Sequence, residues 1–185
     1  MYDNRTALET AFLSNASIDF LFFWGHRPSK DGRITASCLS QWWPSPFTVD
    51  GVIYQTAEHW MMAAKARLFG DHQTAEHILA ATDPKAVKAL GRKARGFDAE
   101  AWDREKFAIV REGSFQKFLQ NEDLREFLLS TGDKVLVEAS PVDPVWGIGL
   151  AADDAAAANP TQWRGENLLG FALMDVKARI RAATF

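Results

Sequence analysis

QTAEHWMMAAKARLF, residues 55–69, is the segment from which the architecture of the protein can best be predicted. Apolar side chains recur there at helical spacing, and the pattern predicts an α-helix with one apolar face. The predicted face consists of Ala57, Trp60, Met61, Ala64 and Leu68. Thr56 directly precedes this face, and threonine is a favoured residue at a helix N-cap. We therefore expect the rest of the chain to pack around this helix.

Glu58 and Lys65 lie on a neighbouring stripe of the same predicted helix. They are seven residues apart, nearly two turns, so their side chains point the same way with Cα atoms about 10 Å apart. That separation exceeds the spacing of three or four that a local ion pair needs, but both tips can reach one pocket. A carboxylate and an amine on one rigid helix suit acid–base and nucleophilic chemistry. The alternative interpretation is a pair of solvated surface charges.

The composition indicates one globular domain over residues 1–185 in the cytoplasm. A chain of 185 residues can bury a sizeable core. The net charge of −3 argues against a broad nucleic-acid surface. The single cysteine, Cys38, excludes an internal disulfide and fits a reducing compartment. We find no signal-peptide pattern and no apolar run of about 20 residues, so we expect no membrane span.

The remaining elements follow from periodicity and from turn residues. Strands are predicted over 18–24, 33–38 and 134–139, and a hairpin over 48–54 around Asp50 and Gly51. Helices are predicted over 71–81, from Pro84, from Ala99 to about Leu119, after Asn121, and around 168–180, with a short helix within 1–16. The prediction is an α+β, helix-rich single domain with a small β-sheet.

Few residues are left as candidates for chemistry. The four histidines lack metal-ligand spacing, and no nucleophile elbow, phosphate loop or dinucleotide fingerprint is present. We therefore predict neither a metal nor a cofactor. Beside Glu58 and Lys65, the candidates are Asp143 in a loop with two prolines and Asn167 before the last helix, with a turn residue and a helix cap as the respective alternatives.

Aromatic and basic residues are the other candidates for substrate contacts. Trp24, Trp42 and Trp146 lie in stretches rich in Gly, Pro and Ser, where an indole can form a flat wall for stacking; packing under the loops is the alternative. The segment GRKARG, residues 91–96, offers Arg92 together with Lys93 and Arg95 to a phosphate. The alternative is a solvated helix end, where cations are favoured in any case.

Four motifs together resemble the NADAR family, also called the YbiA-like family. They are FFWGHRP at residues 22–28, CLSQWWPSPFTVDGVIYQTAEHWMMAAKA at 38–66, ASPVDPVWGIGL at 139–150 and WRGENLLGFALMDVK at 163–177. The resemblance runs over residues 19–180, the expected core of the domain. One departure is Gln41, where the family usually has asparagine. The family includes bacterial N-glycosidases that act on intermediates of riboflavin biosynthesis.

The resemblance implies a YbiA-like fold and hydrolysis of an N-glycosidic bond, with Glu58, Lys65, Asp143 and Trp146 in the active site. The further predicted substrate contacts are Trp24, Gly25, Ser40, Trp42, Arg92, Gly147 and Asn167. The expected substrate is a ribosylamino-pyrimidine phosphate. One alternative is removal of ADP-ribose from guanine, the only way in which nucleic acid would be a substrate; another is a non-catalytic module that binds ADP-ribose or NAD.

Two mechanisms remain open at this point. In the first, a neutral Lys65 attacks C1′ and forms a Schiff base; burial, or a cation such as His59 or an arginine, would lower the pKa of Lys65. In the second, Glu58 and Asp143 direct hydrolysis through an oxocarbenium-like transition state, and Lys65 only binds phosphate.

Overall fold

The computed structural model of the protein describes residues 2–183. In chain order its elements are α1 (Arg5–Leu13), β1 (Phe20–Phe23), β2 (Phe47–Val49), β3 (Val52–Tyr54), α2 (Ala57–Leu68), α3 (His72–Ala80), α4 (Pro84–Gly91), α5 (Ala99–Gln120), α6 (Glu122–Ser130), β4 (Val135–Glu138) and α7 (Leu168–Ala183). Short 3-10 helices cover Ala36–Leu39 and Pro160–Gln162. The predicted class, helix-rich α+β, is confirmed.

The chain divides into two compact units. Unit 1 comprises Met1–Ser40 and Glu126–Phe185, and unit 2 comprises Gln41–Arg125. In unit 1, β1 and β4 pair in parallel, with Phe20 opposite Val135 and Phe23 opposite Glu138. Helix α7 packs against β4. The apolar face of α7 consists of residues that are each at most 1% exposed: Leu169, Ala172, Leu173, Val176 and Ile180.

In unit 2, β2 and β3 form an antiparallel hairpin. Asp50 and Gly51 connect them with φ angles of 49° and 77°, the left-handed conformation that a tight two-residue hairpin turn requires. Helix α2 follows directly, and Thr56 caps it by accepting a hydrogen bond from the backbone N–H of His59 at 3.3 Å. The predicted hairpin and the predicted N-cap are both confirmed.

Helix α2 packs against α3, α4 and α5, so it is the centre of unit 2. Two glycines permit the close approach of its neighbours. A Cβ atom on Gly113 of α5 would lie 2.2 Å from the Trp60 ring, and one on Gly91 of α4 would lie 2.1 Å from Met62 Sδ. The indole of Trp60 also donates to the carbonyl of Ile109 at 2.7 Å.

Two details of the sequence prediction are wrong. Helix α2 is buried on more than one face: Glu58 and His59 are buried, whereas Leu68 is 40% exposed, because three helices surround it. The strand predicted over 33–38 is absent, and Ala36–Leu39 forms a 3-10 helix that buries Cys38 and Leu39. A short apolar run does not by itself distinguish these structures. The strands form two pairs, β1 with β4 and β2 with β3.

Within residues 2–183, no helix combines the length and the apolar character that crossing a membrane requires.

Candidate active site

Glu58 occupies the first turn of α2 and is only 2% exposed. Its backbone N–H donates to the carbonyl of Gln41 at 3.0 Å, which satisfies one of the amides that a helix N-terminus leaves open. Gln41 is itself held by a hydrogen bond from its Nε2 to Ser114 Oγ of α5 at 3.1 Å. The position near the helix N-terminus also favours a negative charge. Burial of this carboxyl group rules out the solvated surface charge that was the alternative for Glu58.

Lys65 lies two turns further along α2, half-buried, and its amine faces two aromatic rings. Lys65 Nζ is 4.3 Å from the ring centre of Phe97 and 5.4 Å from that of Trp102. Burial of the amine lowers the pKa of Lys65, the positive charge of Arg92 lowers it further, and the negative charge of Glu58 raises it. The first two effects favour the neutral amine that a nucleophile needs.

The cation that acts on Lys65 is Arg92, and His59 has a structural role. Both ring nitrogens of His59 are engaged, with Thr56 Oγ1 at 2.8 Å and the carbonyl oxygen of Ala81 at 2.9 Å. This histidine is 1% exposed and ties the start of α2 to the end of α3. Of the two cations that the sequence offered for lowering the pKa of Lys65, the geometry thus supports an arginine.

The basic segment 91–96 divides into parts with different roles. Arg92 is exposed at the C-cap of α4 and is open to an anion. Arg95 instead forms an ion pair with Asp71, in which Nη2 lies 2.7 Å from Oδ1, so its charge is balanced within unit 2. Trp42 is half-buried, with Lys88 Nζ 5.9 Å from the centre of its ring.

In unit 1, the predicted site residues follow the carboxyl ends of β1 and β4. Trp24 and Gly25 come directly after β1, and the loop with Asp143 comes after β4. Because the two strands are parallel, both loops leave the same edge of the pair, where ligands commonly bind in α/β folds. Trp24 is 59% exposed, whereas Ser40, after the first 3-10 helix, is half-buried.

The loop of Asp143 is rigidly built. Asp143 Oδ1 accepts hydrogen bonds from the backbone N–H groups of Val145 at 2.9 Å and Trp146 at 2.8 Å. These two hydrogen bonds form an Asx turn. The alternative interpretation of Asp143 as a turn residue therefore applies to at least one of its carboxylate oxygens. The carbonyl of Trp146 accepts from Leu169 N at 3.1 Å, which fixes this half-buried tryptophan against the first turn of α7. A Cβ on Gly147 would lie 2.7 Å from the carbonyl oxygen of Glu138, so this close approach requires glycine.

Asn167 has no exposed surface and both ends of its amide are used. Oδ1 accepts from Glu138 N and Nδ2 donates to the carbonyl of Leu136, both at 2.9 Å. The side chain therefore extends the hydrogen bonding of β4, and its geometry does not support the predicted direct contact with substrate. Gly170 belongs to the same arrangement, since a Cβ there would lie 2.4 Å from Asn167 Nδ2.

Comparison with known proteins shows the family of the chain. The NADAR domain model matches residues 22–181. The chain belongs to the NADAR family. A relative named N-glycosidase R617, of Acanthamoeba polyphaga mimivirus, is 42% identical over 163 residues, which cover 85% of this chain and 94% of the relative. N-glycosidase Npun_R5314 of Nostoc punctiforme is 38% identical over 78% of this chain and 85% of its own length.

The Escherichia coli relative, N-glycosidase YbiA, is 30% identical over 73% of this chain and 76% of its own length. The NMR structure of YbiA superposes with a TM-score of 0.71 at 26% identity, covering 91% of this chain and 89% of that one. The NADAR chain described here is thus an enzyme of the N-glycosidase class, a hydrolase acting on N-glycosyl bonds.

Two residues of the candidate site were missed by the sequence analysis. Phe97 and Trp102 contact the amine of Lys65, but they come from the end of the α4–α5 connection and from α5. In the sequence, an aromatic residue stands on each side of Asp98, the N-cap of α5. Nothing in that spacing indicates a contact with α2. Their approach to Lys65 depends on how α5 packs against α2, which is a tertiary feature.

Proposed function

We propose that the enzyme hydrolyses the bond between C1′ and nitrogen in ribosylamino-pyrimidine phosphates, the intermediates of riboflavin biosynthesis. The observation that carries the proposal is the half-buried amine of Lys65, whose pKa is lowered and which shares a helix with the buried Glu58. In such a substrate the sugar C1′ bears an exocyclic amine. The bond between C1′ and the ring oxygen can then break, which leaves C1′ as an imine that an amine nucleophile attacks readily.

The proposed reaction begins with the ring-opened substrate, in which C1′ is an imine of the leaving amine. The neutral Lys65 adds to C1′, and Glu58 moves a proton to the departing nitrogen, so that the C1′–N bond to the base breaks. C1′ is then joined to Lys65 as a Schiff base. Water adds to C1′, and departure of the lysine amine releases the sugar phosphate as an aldehyde and regenerates both groups.

The other residues are proposed to bind and orient the substrate. Asp143 orients the ribose hydroxyls, and its loop is held by the Asx turn described above. Trp146 stacks on the base or sugar, with Trp24 and Trp42 as further stacking surfaces. Arg92 is exposed and is proposed to bind the phosphate. Gly25, Ser40 and Gly147 are proposed as backbone or hydroxyl contacts.

The setting of the reaction is proposed to be the cytosol, with a small molecule as the substrate. Cys38, the single cysteine, is fully buried, and one cysteine cannot form an internal disulfide. The net charge of −3 favours a small substrate over nucleic acid.

The test is an incubation with two substrates, read by mass spectrometry. One is a ribosylaminouracil phosphate and the other is an oligonucleotide with ADP-ribose on guanine. We expect aminouracil and free ribose phosphate from the first. Release of ADP-ribose from the second substrate alone would mean that ADP-ribosylated guanine is the substrate. The absence of any product from both would overturn the proposal. Lys65→Arg serves as the inactive control, and Lys85→Arg, at an exposed position of α4, as the matched active one.

A further inference from the structure

The amine of Lys65 lies against an aromatic pair, Phe97 and Trp102, that the proposed reaction does not use. Lys65 Nζ is 4.3 Å from the ring centre of Phe97 and 5.4 Å from that of Trp102. Trp102 belongs to the first turns of α5 and is half-buried. Phe97 is different, because it lies between helices and is 48% exposed.

Two contacts at the end of α2 hold Phe97. Its ring meets the ring of Phe69 edge to face, with centroids 5.3 Å apart and an interplanar angle of 72°. Phe69 is the C-cap residue of α2, one turn beyond Lys65. Gly96 has a φ of +72°, and a Cβ there would lie 3.3 Å from the carbonyl oxygen of Phe69. The backbone before Phe97 therefore runs close along the end of α2.

A buried carboxylate anchors the residue before this glycine. Asp71 is 2% exposed and accepts hydrogen bonds from the backbone N–H of Arg95 at 2.9 Å and from Arg95 Nη2 at 2.7 Å. It also caps α3 through Thr74 N at 3.2 Å and Thr74 Oγ1 at 2.7 Å. These bonds hold the pKa of Asp71 well below its usual range. The Asp71–Arg95 pair thus clamps the segment that presents Phe97.

We propose that Phe97 and Trp102 are positioning residues that confine the amine of Lys65 and shield it from bulk water, and that the Asp71–Arg95 clamp holds Phe97 in place. The proposal rests on the proposed function only in giving Lys65 a catalytic role. The arrangement itself follows from the distances above: the amine lies close to two aromatic rings, and the clamp holds one of them, Phe97.

Two effects of the rings on Lys65 oppose each other. A cation over an aromatic face is stabilised by roughly 0.5–2 kcal/mol, which favours the ammonium form. Exclusion of water destabilises the same ammonium form. Burial lowers the pKa of Lys65, which is the direction expected if exclusion of water by the rings exceeds their attraction for the cation.

The charged groups near Lys65 change its pKa in both directions. Arg92 lowers the pKa of Lys65 and Glu58 raises it. Five other charged groups of the surrounding elements have contacts of their own: Arg67 with Tyr54, Asp71 with Arg95, Lys88 with Trp42, Lys106 with Asp103, and Glu112 with Gln116.

The experiment measures the acylation rate of Lys65 by acetic anhydride as a function of pH, with peptide mass spectrometry and without substrate. The variants are Phe97→Ala, Phe97→Tyr and Arg95→Gln, and the exposed Lys85 of the same samples is the reference. Loss of the ring admits water and favours the ammonium form. We therefore expect Lys65 in Phe97→Ala to react roughly three- to tenfold more slowly at pH 8, with its titration displaced to higher pH.

Phe97→Tyr keeps the ring and should restore the wild-type profile, while Arg95→Gln should shift it in the direction of Phe97→Ala. Lys85 should react alike in all samples. An unchanged Lys65 profile in Phe97→Ala, or a shift to lower pH, would overturn the proposal. The readout needs no turnover, so an enzyme inactive on ribosylamino-pyrimidine phosphates could still support this inference, and the two failures are distinguishable.

Discussion

At the scale of single residues, Lys65 separates the two mechanisms. If it attacks C1′, borohydride should reduce the Schiff base to a stable secondary amine on the peptide that contains Lys65. Lys65→Arg keeps a positive charge, but a guanidinium stays protonated and cannot act as the nucleophile. We expect this variant to lose at least about 100-fold in kcat and to form no adduct. An active Lys65→Arg without a trapped adduct would favour direct hydrolysis, with Lys65 as a phosphate ligand.

The pH dependence of turnover provides a second test at this scale. The positive charge of Arg92 lowers the pKa of Lys65, so Arg92→Leu should raise that pKa again. In the proposed reaction, turnover requires the neutral amine of Lys65. The acidic limb of the pH profile of kcat/KM should therefore move to higher pH. Lys85→Leu removes an exposed charge from the same helix and should leave the limb in place. A uniform loss of kcat/KM in Arg92→Leu, without movement of the limb, would restrict Arg92 to substrate binding.

Helical spacing was sufficient to place Glu58 and Lys65 on one helix, because residues seven apart project alike. It was not sufficient to predict that Glu58 is buried, since burial depends on α4 and α5, which pack on α2. The role of Asn167 was missed for the same reason. Its amide bonds to the backbone of β4, 29 and 31 residues away in the sequence, and no local pattern records that contact.

At the scale of elements, the contact of α2 with α5 depends on a residue without a side chain. A Cβ on Gly113 would lie 2.2 Å from Trp60 Cδ1, and the ring cannot retreat without losing its hydrogen bond to Ile109. Gly113→Ala should therefore destabilise the protein by about 1–3 kcal/mol, measured by urea unfolding. Glu105→Ala, at an exposed position of the same helix, should stay within about 0.5 kcal/mol. Equal stability of the two variants would mean that the contact between Gly113 and Trp60 accommodates an added methyl group.

Caps and turns made most elements predictable. Thr56, Asp83 and Asp98 each accept a backbone hydrogen bond at the start of a helix. Asp50 and Gly51 form the predicted turn. These signals are local, which is why they could be identified from sequence. The false strand over 33–38 had no such signal, only a few apolar residues that Ala36–Leu39 buries in a 3-10 helix.

At the scale of the whole molecule, we propose that residues 1–185 fold as one domain. Unit 1 is formed by two separate segments and unit 2 by the continuous segment between them. The boundary between residues 125 and 126 falls inside α6, so no flexible linker separates the segments there. We expect one cooperative transition, with amides of β4 and α2 losing protection from hydrogen exchange at the same urea concentration. Two distinct midpoints would mean that the units unfold independently.

Stability against pH is also a property of the whole molecule, and Lys177 of α7 should control part of it. Its amine donates to Thr131 Oγ1 at 3.0 Å and to the carbonyl of Gly132 at 2.8 Å, and the residue is 3% exposed. Burial, followed by the charge of Arg181, lowers the pKa of Lys177 from 10.5 to about 8, while Asp133 opposes the change. The folded state therefore holds fewer protons than the unfolded state between about pH 8 and 10.5.

It follows that the free energy of unfolding should rise with pH across this window. Lys177→Met keeps much of the length and removes the titration, so the wild type should gain about 1–2 kcal/mol relative to the variant between roughly pH 7.5 and 9.5. Urea unfolding at both pH values measures the difference, and other titrating groups cancel because they are common to both proteins. A difference that is the same at both pH values would show that the hydrogen bonds to Thr131 and Gly132 compensate fully for burial of the charge.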